Sequence, residues 1–222
     1  AALSCDPLSA FGGIVSCNFK IHKALAIKFN NIFLELIISN GVEKEALKIL
    51  KKKKNLRLID STNYSLGQTL KFNSTNDALL VQSEDNKVFS KNEFEIVSKK
   101  KPNKSQIEDL LFAFNICRFV KSNAIVLATN KTTIGIGSGQ PSRLDSCQIA
   151  INKMRKNIYP IKIVVAASDA FFPFVDGIEK LTQSGVSAVI QPAGSIRDKE
   201  IIKFANEAGI VLAFSKTRHF RH

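Results

Sequence analysis

Short runs of β-branched and apolar residues alternate along this chain with segments whose apolar residues recur at helical spacing. We predict strands at residues 13–18, 34–39, 56–59, 78–82, 124–129, 133–136, 162–166, 188–191 and 210–214. The predicted helices cover residues 20–33, 42–53, 105–121, 144–156, 177–184 and 197–208. Because alternating strands and helices bury a sheet beneath helical layers, the pattern predicts a layered α/β fold with a largely parallel or mixed sheet.

A charged run with a proline, residues 98–104, separates two patterned regions and predicts a boundary near residue 100. Directly after it, Ser105 and Glu108 have the spacing of a capping box, in which two side chains satisfy orphan backbone donors of a new helix. Residues 60–76 are polar and rich in turn formers, so we expect a surface excursion there. The chain is therefore expected to form two regions, 1–100 and 101–222.

The 222 residues carry a formal net charge of +13, which raises the question of a phosphate-bearing partner. Most of the charge is lysine scattered among abundant asparagine and isoleucine, and only residues 51–54 and 99–101 form compact runs. That distribution favours a solvated surface over a nucleic-acid site. Nucleic acid is therefore not an expected partner. No apolar stretch approaches the roughly 20 residues of a membrane span, so a membrane is not an expected partner either.

Four cysteines lie far apart, without a C-x-x-C pair or a neighbouring histidine. They are typical of reduced thiols in a cytoplasmic protein, mostly in its core. The chain opens on Ala1, and Met154 is its single methionine. We therefore expect the sequence to be the C-terminal portion of a longer translation product.

Three loops that follow predicted strands concentrate small and polar residues, and open α/β sheets bind ligands at such strand ends. The loops are Gly135-Ile-Gly-Ser-Gly-Gln-Pro-Ser-Arg143, Ala167-Ser-Asp-Ala-Phe-Phe-Pro-Phe-Val-Asp-Gly177 and Gln191-Pro-Ala-Gly-Ser-Ile-Arg-Asp198. The first allows close backbone approach and offers Arg143 as a planar donor, although a tight turn before a helix explains its glycines equally well. In the second, three phenylalanines flanked by carboxylates predict either an aromatic slot for a flat heteroaromatic ligand or a plain core.

Three further features leave alternatives open. The third loop either holds an anion on its backbone donors or is a plain helix cap by Ser195. Asn123 enters its strand directly after a helix, and a buried carboxamide needs partners for up to four hydrogen bonds, so either a substrate or a loop must satisfy it. Residues 214–222 contain two of the three histidines and form either a frayed basic tail or part of a site.

Taken together, these segments resemble a known family. Residues 121–126, 135–143, 168–174, 191–198 and 218–222 are similar, in order, to the transformylase domain of the PurH family of bifunctional purine biosynthesis proteins, and so are residues 6–13, 53–55 and 78–82. The resemblance implies a cytidine deaminase-like fold that is duplicated, with an incomplete first copy at residues 1–100 and a second copy at 101–222. This chain has no H-x-E with P-C-x-x-C and therefore no zinc site of the deaminase kind.

The resemblance also implies an activity, the transfer of a formyl group from 10-formyltetrahydrofolate to the 5-amino group of aminoimidazole carboxamide ribonucleotide (AICAR). A separate N-terminal cyclohydrolase domain then closes formyl-AICAR to inosine monophosphate (IMP). The family further implies a cytoplasmic homodimer, 10-formyltetrahydrofolate as co-substrate and a potassium ion near the site. The amine is a poor nucleophile, so a base must take its proton while the developing charge on the formyl oxygen is stabilised.

The resemblance carries site residues over position by position. Catalytic roles fall on His222 and Asn123, and a potassium ligand falls on Asp169. The positions expected to contact nucleotide or folate are Gly12, Glu35, Lys54, Asn123, Arg143, Leu144, Phe171, Asp176, Ser195, Ile196 and Arg218. Of these, Lys54 and Arg218 are the expected phosphate contacts.

Some positions depart from the family pattern. The family's catalytic lysine and histidine lie in a Lys-His motif, and no Lys-His dipeptide occurs here, since His22-Lys23 has the reverse order in a helical, exposed context. Val175 stands where the family has an arginine, and residues 60–76 match poorly. We therefore expect the chain alone to be inactive as a transformylase. The alternative is a non-catalytic basic module that binds a nucleotide or nucleic acid.

Overall fold

A computed structural model describes residues 1–65, 67, 70–156 and 163–221 of the chain. The chain divides into two compact units. The smaller unit is Pro7–Glu84, and the larger one combines Ala1–Asp6 with Asp85–His222. The contacts therefore separate the units at residues 84 and 85, whereas the sequence boundary near residue 100 stays a prediction about subdomains of the family.

The smaller unit contains a parallel three-stranded sheet in the order β1 (Gly13–Cys17), β2 (Leu34–Ser39) and β3 (Arg57–Asp60). The crossovers carry two helices, α1 (Lys23–Asn30) and α2 (Lys44–Leu50). The apolar residues that these elements share form one core, made of Ile21, Ala26, Phe29, Leu34, Ile37, Ala46 and Leu50. These strands and helices match the predicted ones within a few residues at each end.

His22 is the N-cap residue of α1. Its Nδ1 accepts a hydrogen bond from the backbone N–H of Leu25 at 3.3 Å, and the residue is exposed. This geometry satisfies one of the orphan donors at the start of the helix. The exposed helical context predicted for His22-Lys23 is confirmed.

An antiparallel hairpin of β4 (Leu70–Ser74) and β5 (Leu79–Ser83) completes the smaller unit. The surface excursion predicted over residues 60–76 contains β4, a mostly exposed strand that the sequence did not reveal. A strand with only two apolar residues among lysine, asparagine and serine carries too short an alternation to be seen in sequence. Three residues of that excursion, Leu66, Gln68 and Thr69, lie outside the described residues.

The larger unit is built on a mixed six-stranded sheet in the order β6-β11-β10-β9-β7-β8. Its strands are β6 (Phe94–Ile96), β7 (Ile125–Thr129), β8 (Thr132–Gly137), β9 (Val164–Ser168), β10 (Val186–Pro192) and β11 (Val211–Ser215). Strands β9, β10 and β11 are parallel, while β7 runs antiparallel to β8 and β9, and β6 is an antiparallel edge strand. The predicted layered α/β fold with a mixed sheet is confirmed, although the three-residue strand β6 was missed because so short a run has no readable period.

Helices cover both faces of this sheet. Helix α3 (Lys104–Cys117) packs on one face, and α4 (Arg143–Lys156), α5 (Val175–Gln183) and α6 (Asp198–Glu207) pack on the other. Successive residues of β7 divide between the two faces, since Ile125 and Leu127 join the core under α4 while Val126 and Ala128 join the core under α3. Strands buried on both faces read as continuous apolar runs, which is why the sequence revealed them. None of the described helices is long and apolar enough to cross a membrane.

The cap of α3 differs from the prediction. The side chain of Asn103 accepts from the backbone N–H of Gln106 at 2.8 Å, and the side chain of Gln106 accepts from the backbone N–H of Asn103 at 3.0 Å. The capping box predicted at Ser105 and Glu108 is therefore wrong by two residues. Both pairs have the same spacing, and Glu108 instead pairs with Lys131 on the surface.

The glycines of the first loop serve the packing of α4. Gly135 and Gly137 lie in β8, and a Cβ at either position would overlap the helix backbone, at the carbonyl oxygens of Ala150 and Ser146 respectively. The helix can approach the strand this closely only because both positions lack a side chain. The close approach fixes where α4 begins, and its first residue is Arg143.

A buried carboxylate holds the turn between β7 and β8. Asn130 and Lys131 both have positive φ, and their backbone N–H groups donate to Asp109 at 3.0 and 2.7 Å. Asp109 is 2% exposed, so the two bonds satisfy a charge that would otherwise be costly to bury.

We expect Asp109→Ala to lower the free energy of unfolding by about 1–3 kcal/mol, because the turn loses two hydrogen bonds to a charged acceptor. Urea denaturation measures the change. The matched control is Glu108→Ala on the same helix, which removes only the exposed ion pair with Lys131 and should cost below about 1 kcal/mol. Equal losses in the two variants would contradict the assignment.

Candidate active site

Three loops meet at one edge of the larger sheet. Strand β7 begins at this edge, while its antiparallel neighbours β8 and β9 end there, so that Ile125 lies opposite both Gly137 and Ser168. Residues 122–124, 138–143 and 168–170 therefore converge. The convergence of Asn123 with the first two predicted loops is a consequence of strand direction and could not be read from sequence spacing.

Arg143 is the centre of this convergence. Its side chain is 8% exposed, and its Nη1 donates to Oγ of Ser168 at 2.8 Å and to Oδ1 of Asp169 at 2.5 Å. Its Nη2 donates to Oδ1 of Asn123 at 2.8 Å. One guanidinium thus joins the start of α4, the end of β9 and the start of β7.

Asp169 is fully buried, and both of its oxygens are engaged. Besides the Arg143 contact at Oδ1, its Oδ2 accepts from Oγ of Ser122 at 2.5 Å. Ser122 and Ser168 were not among the predicted site residues, and small hydroxyl side chains give no signal of their own in a sequence. Their position beside a buried ion pair is what makes them part of the site.

The carboxamide of Asn123 is satisfied by the protein itself. Its Nδ2 donates to the backbone carbonyls of Gln140 and Pro141, each at 2.9 Å, and its Oδ1 accepts from Arg143. Of the two alternatives left open by the sequence, a loop and not a substrate supplies these partners. Both amide hydrogens are committed to the loop before α4, which they hold in place.

A cleft of about 390 Å³ opens beside Arg143. The predicted site residues that line it are Asn123, Arg143, Leu144, Phe171 and Asp176. The remaining walls come mainly from the aromatic loop and the C-terminal segment, namely Pro141, Ser142, Ala170, Phe172, Pro173, Phe174, Gly177 and Phe220. The cleft therefore combines apolar walls with one buried cation and one exposed carboxylate.

The phenylalanines of the aromatic loop, residues 167–177, lie partly in the core and partly in the wall of the cleft. Phe172 is 1% exposed and packs against Gly177 and the main core, whereas Phe171 is half-buried and Phe174 is 51% exposed. Val175, which replaces the family's arginine, packs against the core as the first residue of α5. Phe172 is thus a core residue, while Phe171 and Phe174 give the cleft aromatic walls, and the binding of a heteroaromatic ligand there stays a prediction.

The C-terminal segment is pinned to the same site. The backbone of Arg221 accepts from the N–H of Ser122 at 2.8 Å and donates to Oγ of that serine at 3.1 Å, while the N–H of His219 donates to the carbonyl of Asp169 at 3.1 Å. Arg218 is exposed, with its guanidinium carbon 4.9 Å from the ring centroid of Phe171. The segment is therefore ordered at the site up to residue 221. The predicted catalytic residue His222 lies outside the described residues.

The third loop lies beside this cleft without lining it. Oγ of Ser195 accepts from the N–H of Arg197 at 3.1 Å, and Ile196 is fully exposed. Helix α6 has no side-chain cap, so the interpretation of Ser195 as a plain cap is wrong. The guanidinium of Arg197 lies 4.7 Å from the ring of Phe174, which does line the cleft.

Gly12, Glu35 and Lys54 belong to the smaller unit. Gly12 has a φ of 69° and donates to the carbonyl of Phe33 at 3.0 Å, and a Cβ on it would lie 3.7 Å from Oε1 of Glu35. Gly12 and Glu35 are thus neighbours at the start of β2. Lys54 is exposed, and its neighbour Lys53 donates to the carbonyl of Ile32.

The role of Asp169 as a potassium ligand stays a prediction. Both of its side-chain oxygens already have protein partners, Arg143 and Ser122. Within the described ranges, there is no group of three or more histidine, cysteine or acidic side chains that could hold a metal ion. We therefore assign no step of chemistry to an ion at this side chain.

Two buried cysteines, Cys117 and Cys147, lie near the charge of Arg143. Burial raises the pKa of Cys147 to about 12, and burial together with the nearby charge of Asp169 raises the pKa of Cys117 well above its usual value. Cys5 and Cys17 are half-buried, and all four cysteines are free. The prediction of thiols that lie mostly in the core holds for two of the four.

We expect iodoacetamide at pH 8 to leave Cys117 and Cys147 unmodified in the native protein, because burial raises the pKa of both thiols and suppresses the reactive thiolate, for Cys147 by about a thousandfold. Peptide mass spectrometry after timed alkylation measures this. Cys5 serves as the internal control that reacts without unfolding, and denaturation in urea should release both buried thiols. Rapid native labelling of Cys147 would be incompatible with the fold.

We expect Asp169→Asn to destabilise the protein by about 3–5 kcal/mol, because Arg143 would remain as a buried charge without its counterion. Urea denaturation again gives the free energy of unfolding. The control is Glu200→Gln, which breaks the exposed ion pair with Arg197 and should cost below about 1 kcal/mol. A loss of that small size in Asp169→Asn would show that the buried pair does not hold the three loops.

The chain has close relatives among known proteins. It is 43% identical over 221 residues to the bifunctional purine biosynthesis protein PurH of Aquifex aeolicus, 44% identical over 224 residues to that of Buchnera aphidicola subsp. Baizongia pistaciae and 40% identical over 221 residues to that of Chlorobium phaeobacteroides. Each match covers 100% of this chain and 42–43% of the relative. The chain thus spans less than half the length of the curated relatives it matches.

The model of one protein family, described as the AICARFT/IMPCHase bienzyme, matches residues 1–153. This range includes the smaller unit and, in the larger one, β7, β8 and the loops that carry Asn123 and Arg143. The relatives extend the similarity over the remaining residues. The chain belongs to the AICARFT/IMPCHase bienzyme family of purine biosynthesis enzymes.

Proposed function

We propose that the cleft at Arg143 binds the substrates of formyl transfer from 10-formyltetrahydrofolate to AICAR, the step that gives formyl-AICAR in IMP biosynthesis. One observation carries this proposal: five residues predicted to contact nucleotide or folate line a single cleft. A volume of about 390 Å³ lies within the usual range for small-molecule sites, roughly 300–1,000 Å³. The proposal concerns the part of the site that this chain supplies.

The walls of the cleft suit flat, conjugated rings. Phe171 and Phe174 present aromatic surface, and an imidazole or pterin ring placed against such surface gains dispersion and offset stacking. Asp176 is exposed at the rim and can accept hydrogen bonds from ring amino groups. Arg218, over the ring of Phe171, supplies a planar donor fork for a phosphate.

Arg143 supplies the electrostatic part of the chemistry. Within the described residues its hydrogen bonds to Ser168, Asp169 and Asn123 use three of its five N–H donors. The guanidinium is held rigidly in a poorly hydrated position at the cleft wall. An N–H donor of Arg143 at the cleft wall would hydrogen-bond the oxygen on which negative charge develops when the weakly nucleophilic amine attacks the formyl group.

Asn123 has a supporting part in this proposal, because its amide hydrogens hold the loop before α4 and its oxygen orients Arg143. A direct catalytic role for it and for His222 stays a prediction. The chain contains no Lys-His dipeptide, so the base that takes the amine proton is not assigned to it. The homodimer, the cytoplasmic location and the cytidine deaminase-like duplication likewise stay predictions.

We expect Arg218→Ala to weaken AICAR binding by about 10–100-fold, because a charge-assisted contact to the phosphate is worth roughly 1.5–3 kcal/mol. Isothermal titration calorimetry on the natural protein that contains this chain measures the dissociation constant. Arg218 is exposed, so the variant should fold. The matched control is Arg155→Ala, an exposed arginine in the last turn of α4, which should leave binding unchanged.

Two outcomes would contradict the proposal. One is a wild-type protein that shows no AICAR binding, and the other is an Arg218→Ala variant that binds as tightly as the wild type. Binding of DNA or RNA that falls steeply with salt, together with no response to AICAR, would favour the alternative of a basic nucleic-acid module.

A further inference from the structure

The C-terminal segment is anchored by a histidine that the functional site does not use. His219 is 0% exposed, and its Nδ1 lies 2.6 Å from Oδ2 of Asp85. Because an ionised carboxylate only accepts hydrogen bonds, Nδ1 carries the hydrogen. The imidazole also packs on the ring of Phe114, with 4.6 Å between the two ring centroids. Asp85 and His219 are 134 residues apart in sequence, so nothing in the sequence pattern links them.

The neighbours of His219 lie on the other side of the segment. Arg218 contacts the ring of Phe171, and Phe220 lines the cleft. The buried imidazole therefore alternates with Phe220, which lines the cleft, and with Arg218, which contacts the lining residue Phe171. Rotation of the segment about its own axis would bring His219 out of the interior and carry both neighbours away from the cleft.

Such a rotation would also break the backbone hydrogen bonds of the segment. The N–H of His219 bonds to the carbonyl of Asp169, and the backbone of Arg221 bonds to Ser122. These bonds hold the backbone, and the buried side chain of His219 adds a separate anchor. The Asp85 carboxylate and the Phe114 ring select one direction, because only there does the imidazole find both its acceptor and its packing surface.

The imidazole also retains an unsatisfied group. Within the described part of the chain, Nε2 of His219 is buried without a hydrogen-bond partner. A buried nitrogen without a partner costs free energy, so a residue chosen for stability alone would be better replaced by an apolar one. This cost in stability indicates that His219 has another role, which is to orient the segment through the hydrogen bond of its Nδ1.

We propose that His219 and Asp85 are positioning residues, which hold Arg218 and Phe220 at the cleft and thereby set its affinity for the nucleotide. The proposal rests on the assigned function of the cleft for its choice of ligand. It goes beyond that function because neither residue touches the cleft, and because it assigns a role to the junction at Asp85, where the larger unit resumes.

The test uses Asp85→Ala in the natural protein that contains this chain. Asp85 is about one-third exposed, so its removal should leave the fold intact. We expect the dissociation constant for AICAR to rise about tenfold. Asp85→Asn keeps an acceptor for Nδ1 and should restore most of the affinity, whereas Asp77→Ala, which removes an exposed aspartate from the smaller unit, should have no effect.

The same substitution in an Arg218→Ala variant distinguishes a positioning role from a general loss of AICAR binding. In Arg218→Ala protein, adding Asp85→Ala should raise the dissociation constant less than twofold further, because the positioned group that contacts the phosphate is already missing. A further tenfold loss in this background would overturn the proposal, since Asp85 would then act through some other part of the molecule.

Hydrogen exchange gives a readout that does not depend on the ligand. In Asp85→Ala the amides of Ser122, His219 and Arg221 should exchange at least tenfold faster, while those of β10 keep their rates. Unchanged exchange at these three amides would overturn the positioning role. If wild-type protein fails to bind AICAR, the proposed function fails, and the exchange result still decides whether the pair holds the segment.

Discussion

The buried ion pair between Arg143 and Asp169 is the interaction on which the larger unit's site depends. Removing two charges from water costs several kcal/mol for each ion, and their attraction repays that cost only when further hydrogen bonds satisfy both groups. Here those bonds come from Ser122, Asn123 and Ser168. Because these partners lie on different segments, the pair is stable only when the start of β7, the end of β9 and the start of α4 are all in place.

The glycines of β8 also make this arrangement possible. They let α4 approach the sheet closely enough for its first residue to reach Asp169. Packing between helix and strand and charge pairing at the sheet edge are thus coupled. A change at either one displaces Arg143, and with it the wall of the cleft.

The same loops hold the C-terminal segment. Asp169 accepts from Arg143 and Ser122 through its side chain and from His219 through its backbone, so one residue connects the ion pair to the chain's last described residues. From this segment Phe220 lines the cleft, and Arg218 contacts the ring of Phe171, another lining residue. The larger unit therefore assembles its pocket from strand ends, a helix start and a terminal segment that share a few buried polar groups.

The sequence by itself determined the α/β alternation, because strands buried on both faces are continuous apolar runs and amphipathic helices repeat every 3.6 residues. It also indicated the loops of the site, since small and polar residues gather where the strands end, and ordered motifs identified the family. The sequence did not reveal two short strands, because β6 has three residues and β4 carries too few apolar residues for its period to show.

Only the tertiary structure decided which side chains meet. The four bonds of the ion-pair network join residues 20–47 apart, and the anchor of His219 joins residues 134 apart, so no local pattern encodes them. It also showed that Asn123 is satisfied by a loop, that Asp169 is neutralised by a guanidinium and that the basic C-terminal segment is held down. Hydrogen bonds between distant segments depend on strand direction and on the close approach of α4 to β8, which are properties of the folded chain as a whole.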